Sequence, residues 1–279
     1  MTPDSRIIED NRNGLQRNKW LILRRITQLS IQLLFLLGPW FGIWWMKGNL
    51  AASEFLGTVP LSDPFVFAQL IASGFWPSSS LIIGFLLVVT LYAIVGGRVY
   101  CSWVCPVNIV TDTARWLRRK LGIRKSTSVP KNTRYWLLFM ILLMTAASGS
   151  LIWELVNPVT MVTRGLVFGM GTAWYLLIAI FFYDLLISKN GWCGQLCPMG
   201  AAYALIGKVS LLKVDAINRI DCDDCMDCYH VCPEPQVLKP VLLGNAASSI
   251  IKPSECNNCG RCIDICSKKV FKFSNKLTN

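Results

Sequence analysis

Four stretches without a charged side chain, Ile26–Met46, Ser79–Gly97, Tyr135–Trp153 and Gly165–Tyr183, run for 19 to 21 residues each in a chain of 279. As helices, about 20 residues rise 30 Å, the thickness of a bilayer's hydrocarbon core. A soluble chain of this length has too little remaining protein to bury four such rods. Charged residues make up 16% of the sequence, against about 25% in soluble domains. The expected fold class is therefore an all-α membrane bundle of four transmembrane helices. It would fill residues 26–213, after a polar tail over 1–25 and before a C-terminal α+β domain over 214–279. A further apolar segment, Pro64–Pro77, is too short to span. It reads as a re-entrant or interfacial helix, or as the start of a long, kinked second helix.

Basic residues in short loops stay on the cytoplasmic side. Six precede the first window (Arg6, Arg12, Arg17, Lys19, Arg24 and Arg25) and nine separate the second from the third, whereas Lys47 and Arg164 stand alone in the other two loops. Both termini are expected in the cytoplasm of a multi-pass membrane protein. The net charge of +12 then belongs to lipid contact, not to nucleic acid. Within Ala114–Lys125, Ala114, Leu117 and Leu121 continue a helical stripe from Val110, which predicts an amphipathic helix on anionic headgroups, with docking of a partner as the alternative.

All twelve cysteines fall in motifs, and the cytoplasm keeps thiols reduced, so metal ligation is the expected use. Cys222, Cys225, Cys228 and Cys232 form one Cys-x-x-Cys-x-x-Cys-x-x-x-Cys run, and Cys256, Cys259, Cys262 and Cys266 a second. This is the bacterial ferredoxin pattern, in which the fourth cysteine of each run serves the other cluster. Two [4Fe-4S] clusters are expected, one on Cys222, Cys225, Cys228 and Cys266, the other on Cys232, Cys256, Cys259 and Cys262. Structural zinc prefers two spaced pairs and fits a triple repeat poorly.

The lone histidine, His230, sits between ligands and far from every apolar window, which excludes bis-histidine haem. Met140, Met144 and Met170 read as packing residues, so no haem is expected.

The remaining four cysteines form two Cys-x-x-x-Cys-Pro motifs, Cys101/Cys105 and Cys193/Cys197, 92 positions apart. Asp63-Pro64 and Asn157-Pro158 precede them at similar intervals, pointing to a duplicated unit. Packed about a pseudo-twofold axis, the four thiols would converge. They could hold a further iron–sulfur cluster, act as two redox-active dithiols, or simply pack at a helix end; spacing leaves all three open.

Four apolar spans, paired Cys-x-x-x-Cys-Pro motifs and a C-terminal pair of four-iron motifs resemble the NapH family, ferredoxin-type membrane subunits of the periplasmic nitrate reductase system, and the related MauN proteins. The resemblance implies a quinol dehydrogenase subunit that works only within a complex. It would take electrons from quinol and, with a periplasmic ferredoxin-like NapG-type partner, feed either a membrane c-type cytochrome or periplasmic nitrate reductase itself. The alternative is a MauN-like role, donating electrons for maturation of a periplasmic redox enzyme; a scaffold whose clusters only stabilise the tail is a third reading.

A quinol site needs an apolar slot with a few polar groups. Ser30, Gln32, Thr90, Tyr92 and Asp184 are the polar side chains in or near the windows, and Glu54 and Glu154 are acids on the external side. Trp40, Trp44, Trp45, Trp76, Trp153 and Trp192 are expected in interfacial aromatic belts. One tension follows: an external quinol would face cytoplasmic cysteines across a gap approaching about 30 Å.

Overall fold

The computed structural model describes residues 14–123, 125–127, 129–169, 171, 173–244, 249–251 and 254–275; Arg6, Arg12 and Met170 lie outside them. Helix α1, Lys19–Phe41, begins ahead of the first window and stops before its end. Gly42 adopts φ +74° there, its N–H bonding back to Gly38 and that of Ile43 to Leu37, a left-handed cap that glycine takes without strain. The stripe Arg24, Gln28, Gln32, Phe35 of α1 is buried, whereas Ile26, Leu29 and Leu33 face outward. This helix is polar inside and apolar outside.

Beyond it lies a small sheet absent from the all-α expectation. Strands β1 (Met46–Gly48), β2 (Ala52–Phe55) and β3 (Val59–Ser62) form an antiparallel meander in which Lys47 pairs with Glu54, an opposite-charge cross-strand pair. The residues Trp45 and Met46, read as helix, bend into this sheet once Gly42 ends α1.

Each half of the chain then repeats one plan. Helix α2 (Pro64–Ala72) starts at Asp63, whose carboxylate accepts from the N–H groups of Phe65 and Val66. Helix α3 (Ser79–Val95) follows, then a π turn over Tyr100–Val104 and helix α4 (Val107–Lys120). After α5 (Thr133–Ser148), α6 (Pro158–Phe168) starts at Asn157, which accepts from the Val159 N–H. Then come α7 (Ala173–Phe182), a π turn over Trp192–Leu196 and α8 (Pro198–Ile206). An Asx side chain before proline caps both short helices, because it satisfies orphan donors that proline at N1 leaves downstream.

Among the described residues one helix, α1, is long and apolar enough to cross a membrane; α3, α5, α6 and Trp174–Ile187 are apolar but shorter. The fourth window is not one helix: α6 stops where Gly169 turns to φ +91°. The third ends early at Gly149, φ +65°. Helix α4 also departs from expectation, since Arg115 and Arg118 are buried and Leu121 is exposed. Its inward face is basic, and the guanidinium groups bond to protein carbonyls, not headgroups: Arg115 to Val231 O, Arg118 to Leu185 O, both at 2.8 Å.

The C-terminal unit pairs β4 (Leu212–Asp215) antiparallel with β5 (Lys272–Asn275), Val214 opposite Phe273. It adds the short helices α9 (Asp227–Val231) and α10 (Arg261–Ile265). Val214, Leu238, Ile251 and Phe271 fill its core. Where α3 meets α8, a Cβ on Gly97 would fall 1.9 Å from Tyr203 O and 2.4 Å from Gly207 N. Gly97→Ala is expected to cost roughly 1–3 kcal/mol through overpacking, read as a lowered thermal midpoint of the purified protein.

Candidate metal centres

The two ferredoxin-type runs fold into matching loops. Asp224 and Met226 flank Cys225 at φ +52° and +62°; Asn258 and Gly260 flank Cys259 at φ +44° and +72°. Left-handed residues on both sides of the middle cysteine curl the chain, so three thiols face one centre. For Met226 this conformation is unfavourable, and the loop holds it at both equivalent places.

Cys232, Cys256, Cys259 and Cys262 line one closed cavity with Val214, Leu238 and Ile251. Cys228 lies within electrostatic reach of Cys225, Cys266 and Cys222, a second grouping. Cys262 feels Cys228 as well as its own group, so the two groups adjoin. Burial pushes the Cys228 and Cys256 thiols up to about 12, with neighbouring thiols adding to it. A metal binding there must displace their protons. Among the described residues no three His, Cys, Asp or Glu side chains close on a single-ion point; Cys232, Cys256, Cys259 and Cys262 surround a cavity instead. Soft, apolar-walled sets of four thiols suit iron–sulfur clusters.

The third set is built by the duplicated half. Cys101 lies in the first π turn and Cys105 ends it, its N–H donating to Tyr100 O at 3.0 Å; Cys197 repeats this with Trp192 O at 2.9 Å. Such π turns recur at functional sites. All four cysteines line a single cavity with Trp153, Val159, Trp192 and Met199. Trp153 and Trp192 thus wall the thiols and do not join a belt, while Trp40, Trp44, Trp45 and Trp76 are exposed. Thr111 Oγ1 stands 3.7 Å from Cys193 Sγ.

This cavity and the second ferredoxin loop touch. Ser102 donates to Asn257 O at 2.7 Å and Trp103 Nε1 to Asn258 O at 3.1 Å. Buried Arg98 clamps the contact, donating to Glu234 at 2.8 Å, Glu255 O at 3.0 Å and Cys193 O at 3.1 Å. Arg134 adds Glu255 at 2.8 Å and Lys131 adds Glu234 at 2.5 Å. Burial raises Glu234, but Arg98 and Lys131 overcome it and hold the carboxyl at about 2. Sequence reasoning counted Arg98, Lys131 and Arg134 as loop charges and passed over Glu234; the signal was adjacency, with Arg98 three residues before Cys101 and Glu234 two after Cys232.

Of the polar side chains named for a quinol slot, Ser30 and Thr90 face outward. Gln32 and Asp184 are buried; Thr163 donates to Gln32 at 3.5 Å and the Trp192 N–H to Asp184 at 2.9 Å. Tyr92 meets Tyr100 and Tyr203 edge-on. Tyr203 stacks on Tyr100 and donates to Asp63 at 2.7 Å. Glu54 is exposed, and Glu154 accepts from Asn157 at 2.8 Å.

A family model described as a 4Fe-4S binding domain matches residues 79–124 and again 170–215, and a 4Fe-4S dicluster domain matches 213–267. The ferredoxin-type protein NapH of Haemophilus influenzae is 51% identical over 93% of this chain and 91% of its own length. NapH of Escherichia coli is 44% identical over 94% and 91%. The methylamine utilization ferredoxin-type protein MauN of Methylorubrum extorquens is 47% identical over 93% and 90%. No solved structure matches. With these relatives aligned over nearly its whole length, the chain belongs to the NapH and MauN family of ferredoxin-type iron–sulfur electron-transfer proteins.

Proposed function

We propose that this protein is a multi-pass inner-membrane subunit that draws electrons from quinol and relays them through its cysteine sites to a redox partner. In this reading Cys222, Cys225, Cys228 and Cys266 hold one four-iron cluster and Cys232, Cys256, Cys259 and Cys262 another. Cys101, Cys105, Cys193 and Cys197 hold a third. When bound, each cluster supplies a one-electron carrier. The protein's own part is to set the three sites in contact: Ser102 lies between two thiols of one set and Asn257 between two of the next, joined by a 2.7 Å hydrogen bond. That bond is the observation that carries the relay.

A multi-pass arrangement is supported by the inverted polarity of the helices. Leu86, Leu91, Phe139, Leu143, Ile178 and Phe182 face outward while Gln28, Thr145 and Asp184 are buried, as expected when the surroundings are hydrocarbon. With both termini cytoplasmic, the third set lies deeper than the sequence suggested. Trp153, Pro158 and Val159, from the external connection and the start of α6, share its cavity, which narrows the gap to an external quinol.

The acceptor in this reading is a NapG-type periplasmic iron–sulfur protein together with a membrane c-type cytochrome, leading to periplasmic nitrate reductase. Comparable identity to MauN proteins favours a second reading, in which the same relay supplies a different periplasmic enzyme during maturation.

Iron and acid-labile sulfide, measured on anaerobically purified protein beside a Cys101→Ser, Cys193→Ser double variant, test the relay. The expected parent value exceeds about eight irons per chain and falls to about eight in the variant, as one four-thiolate site is lost. About eight in both would remove the third cluster. Menaquinol or ubiquinol analogues added to the parent in liposomes are expected to reduce the clusters, seen by electron paramagnetic resonance; no reduction by either would sink the quinol assignment.

A further inference from the structure

Arg24 is a fully buried cation whose Nε, Nη1 and Nη2 find no hydrogen-bond acceptor among the described residues. Its nearest carboxylate, Asp112, stands 4.0 Å away and is already engaged by Arg25 at 2.5 Å and by Arg261. A buried charge whose donors lack acceptors is destabilising even with a carboxylate 4.0 Å away, so a further negative group is wanted beside it.

The packing says where that group lies. Helix α1 is fixed against α10 by Asp264, which accepts from the Trp20 and Leu21 N–H groups at 3.2 and 3.1 Å. Gly260 is so close that a Cβ would fall 2.5 Å from Trp20 Cγ. Gly260 and Arg261 sit between Cys259 and Cys262, and Arg24 follows Trp20 by one helical turn. Cys259 is within electrostatic reach of Arg24, and Arg115 and Arg261 share that field. Arg261 and the four thiols line the same cavity. Around the other ferredoxin set the sequence instead places Asp221, Asp223, Asp224 and Asp227.

We propose that Arg24 is the counter-ion of the cluster held by Cys232, Cys256, Cys259 and Cys262, and that it makes this site easier to reduce than it would otherwise be. The inference rests on the cluster assignment above. A thiolate-ligated cluster is net negative and gains one more negative charge with each electron accepted, so a buried cation favours the reduced form. The planar guanidinium offers its donors in a fixed fork; at the acid-rich site the cation within electrostatic reach of Cys222 and Cys228 is Arg219, which is about one-third exposed and already paired with Asp224 at 2.7 Å.

The test is a redox titration of the full-length, cluster-loaded protein, followed by electron paramagnetic resonance, with iron content measured alongside. The signal that Cys259→Ser removes identifies the site. In Arg24→Gln its reduction equilibrium is expected to shift at least about tenfold toward the oxidised form, 59 mV for one electron. The Cys225-dependent signal stays in place, and Arg24→Lys, which keeps the charge, retains most of the parent midpoint. Full iron with an unmoved midpoint in Arg24→Gln overturns the proposal, as do equal shifts of both signals. Should Arg24→Gln fail to hold iron, Arg24→Lys decides: full iron with the parent midpoint supports the counter-ion, and loss of iron in both variants overturns it by making Arg24 a packing residue. A parent without any Cys259-dependent signal sinks the cluster assignment itself, a distinct result.

Discussion

Glu234→Gln is expected to loosen the C-terminal unit from the helices at a cost of about 3–5 kcal/mol, the range for breaking a buried ion pair from one side. The carboxylate is 3% exposed and neutralises Arg98, itself fully buried, at 2.8 Å. Lys131 at 2.5 Å and Arg134 at 3.7 Å complete the cluster. A neutral amide still accepts a hydrogen bond, but three cations then face one another with only Glu255 among them. The expected readings are a lower unfolding midpoint and faster proteolysis between residues 207 and 220. Lys131→Gln, at a cation one-third exposed, should cost under about 1 kcal/mol. A Glu234→Gln midpoint matching the parent would mean the clamp does not hold the two parts together.

Asp63→Asn should have the opposite sign. Burial raises the Asp63 carboxyl to about 6, against the pull of its hydrogen bonds from Tyr203, Val66 and Phe65. A folded value above the unfolded one means the proton is held more tightly in the native state. Stability from this group is therefore full below about pH 4 and is lost as pH rises to about 6. Two pKa units correspond to about 3 kcal/mol, the most that Asn can recover above pH 6. Asn caps a helix as well as Asp does, and Asn157 already fills the equivalent place in the second half. Unfolding midpoints of parent and variant should coincide near pH 4 and separate progressively to pH 6.5. A gap that is constant with pH would exclude a raised carboxyl.

The family was legible in the sequence because its signature is local. Cysteine spacing depends on a few neighbouring residues, and the paired Asx-Pro caps are equally short-range. Helix ends were less so: apolarity continues through Gly42, Gly149 and Gly169, and the backbone stops at each because a left-handed or extended turn outweighs hydrophobic continuity. The β1–β3 sheet was hidden by strands of three or four residues, too short for an alternating pattern. Buried charge was hidden most deeply. Arg24, Arg98 and Arg134 read as ordinary positive-inside residues; only Arg98 carried a local hint, its place three residues before Cys101, while nothing local distinguishes Arg24 or Arg134 from a guanidinium at a headgroup.

The twin π turns carry a consequence for symmetry. Each half of the chain brings two thiols, and only the two together close a four-thiol cavity. Two identical units would close the same cavity as a symmetric homodimer, each presenting the same turn across a twofold axis. Within one chain the two halves need not be identical, and at Asp63 and Asn157 they are not: one half has an ionisable cap and the other a neutral one, an asymmetry no homodimer of identical chains could encode.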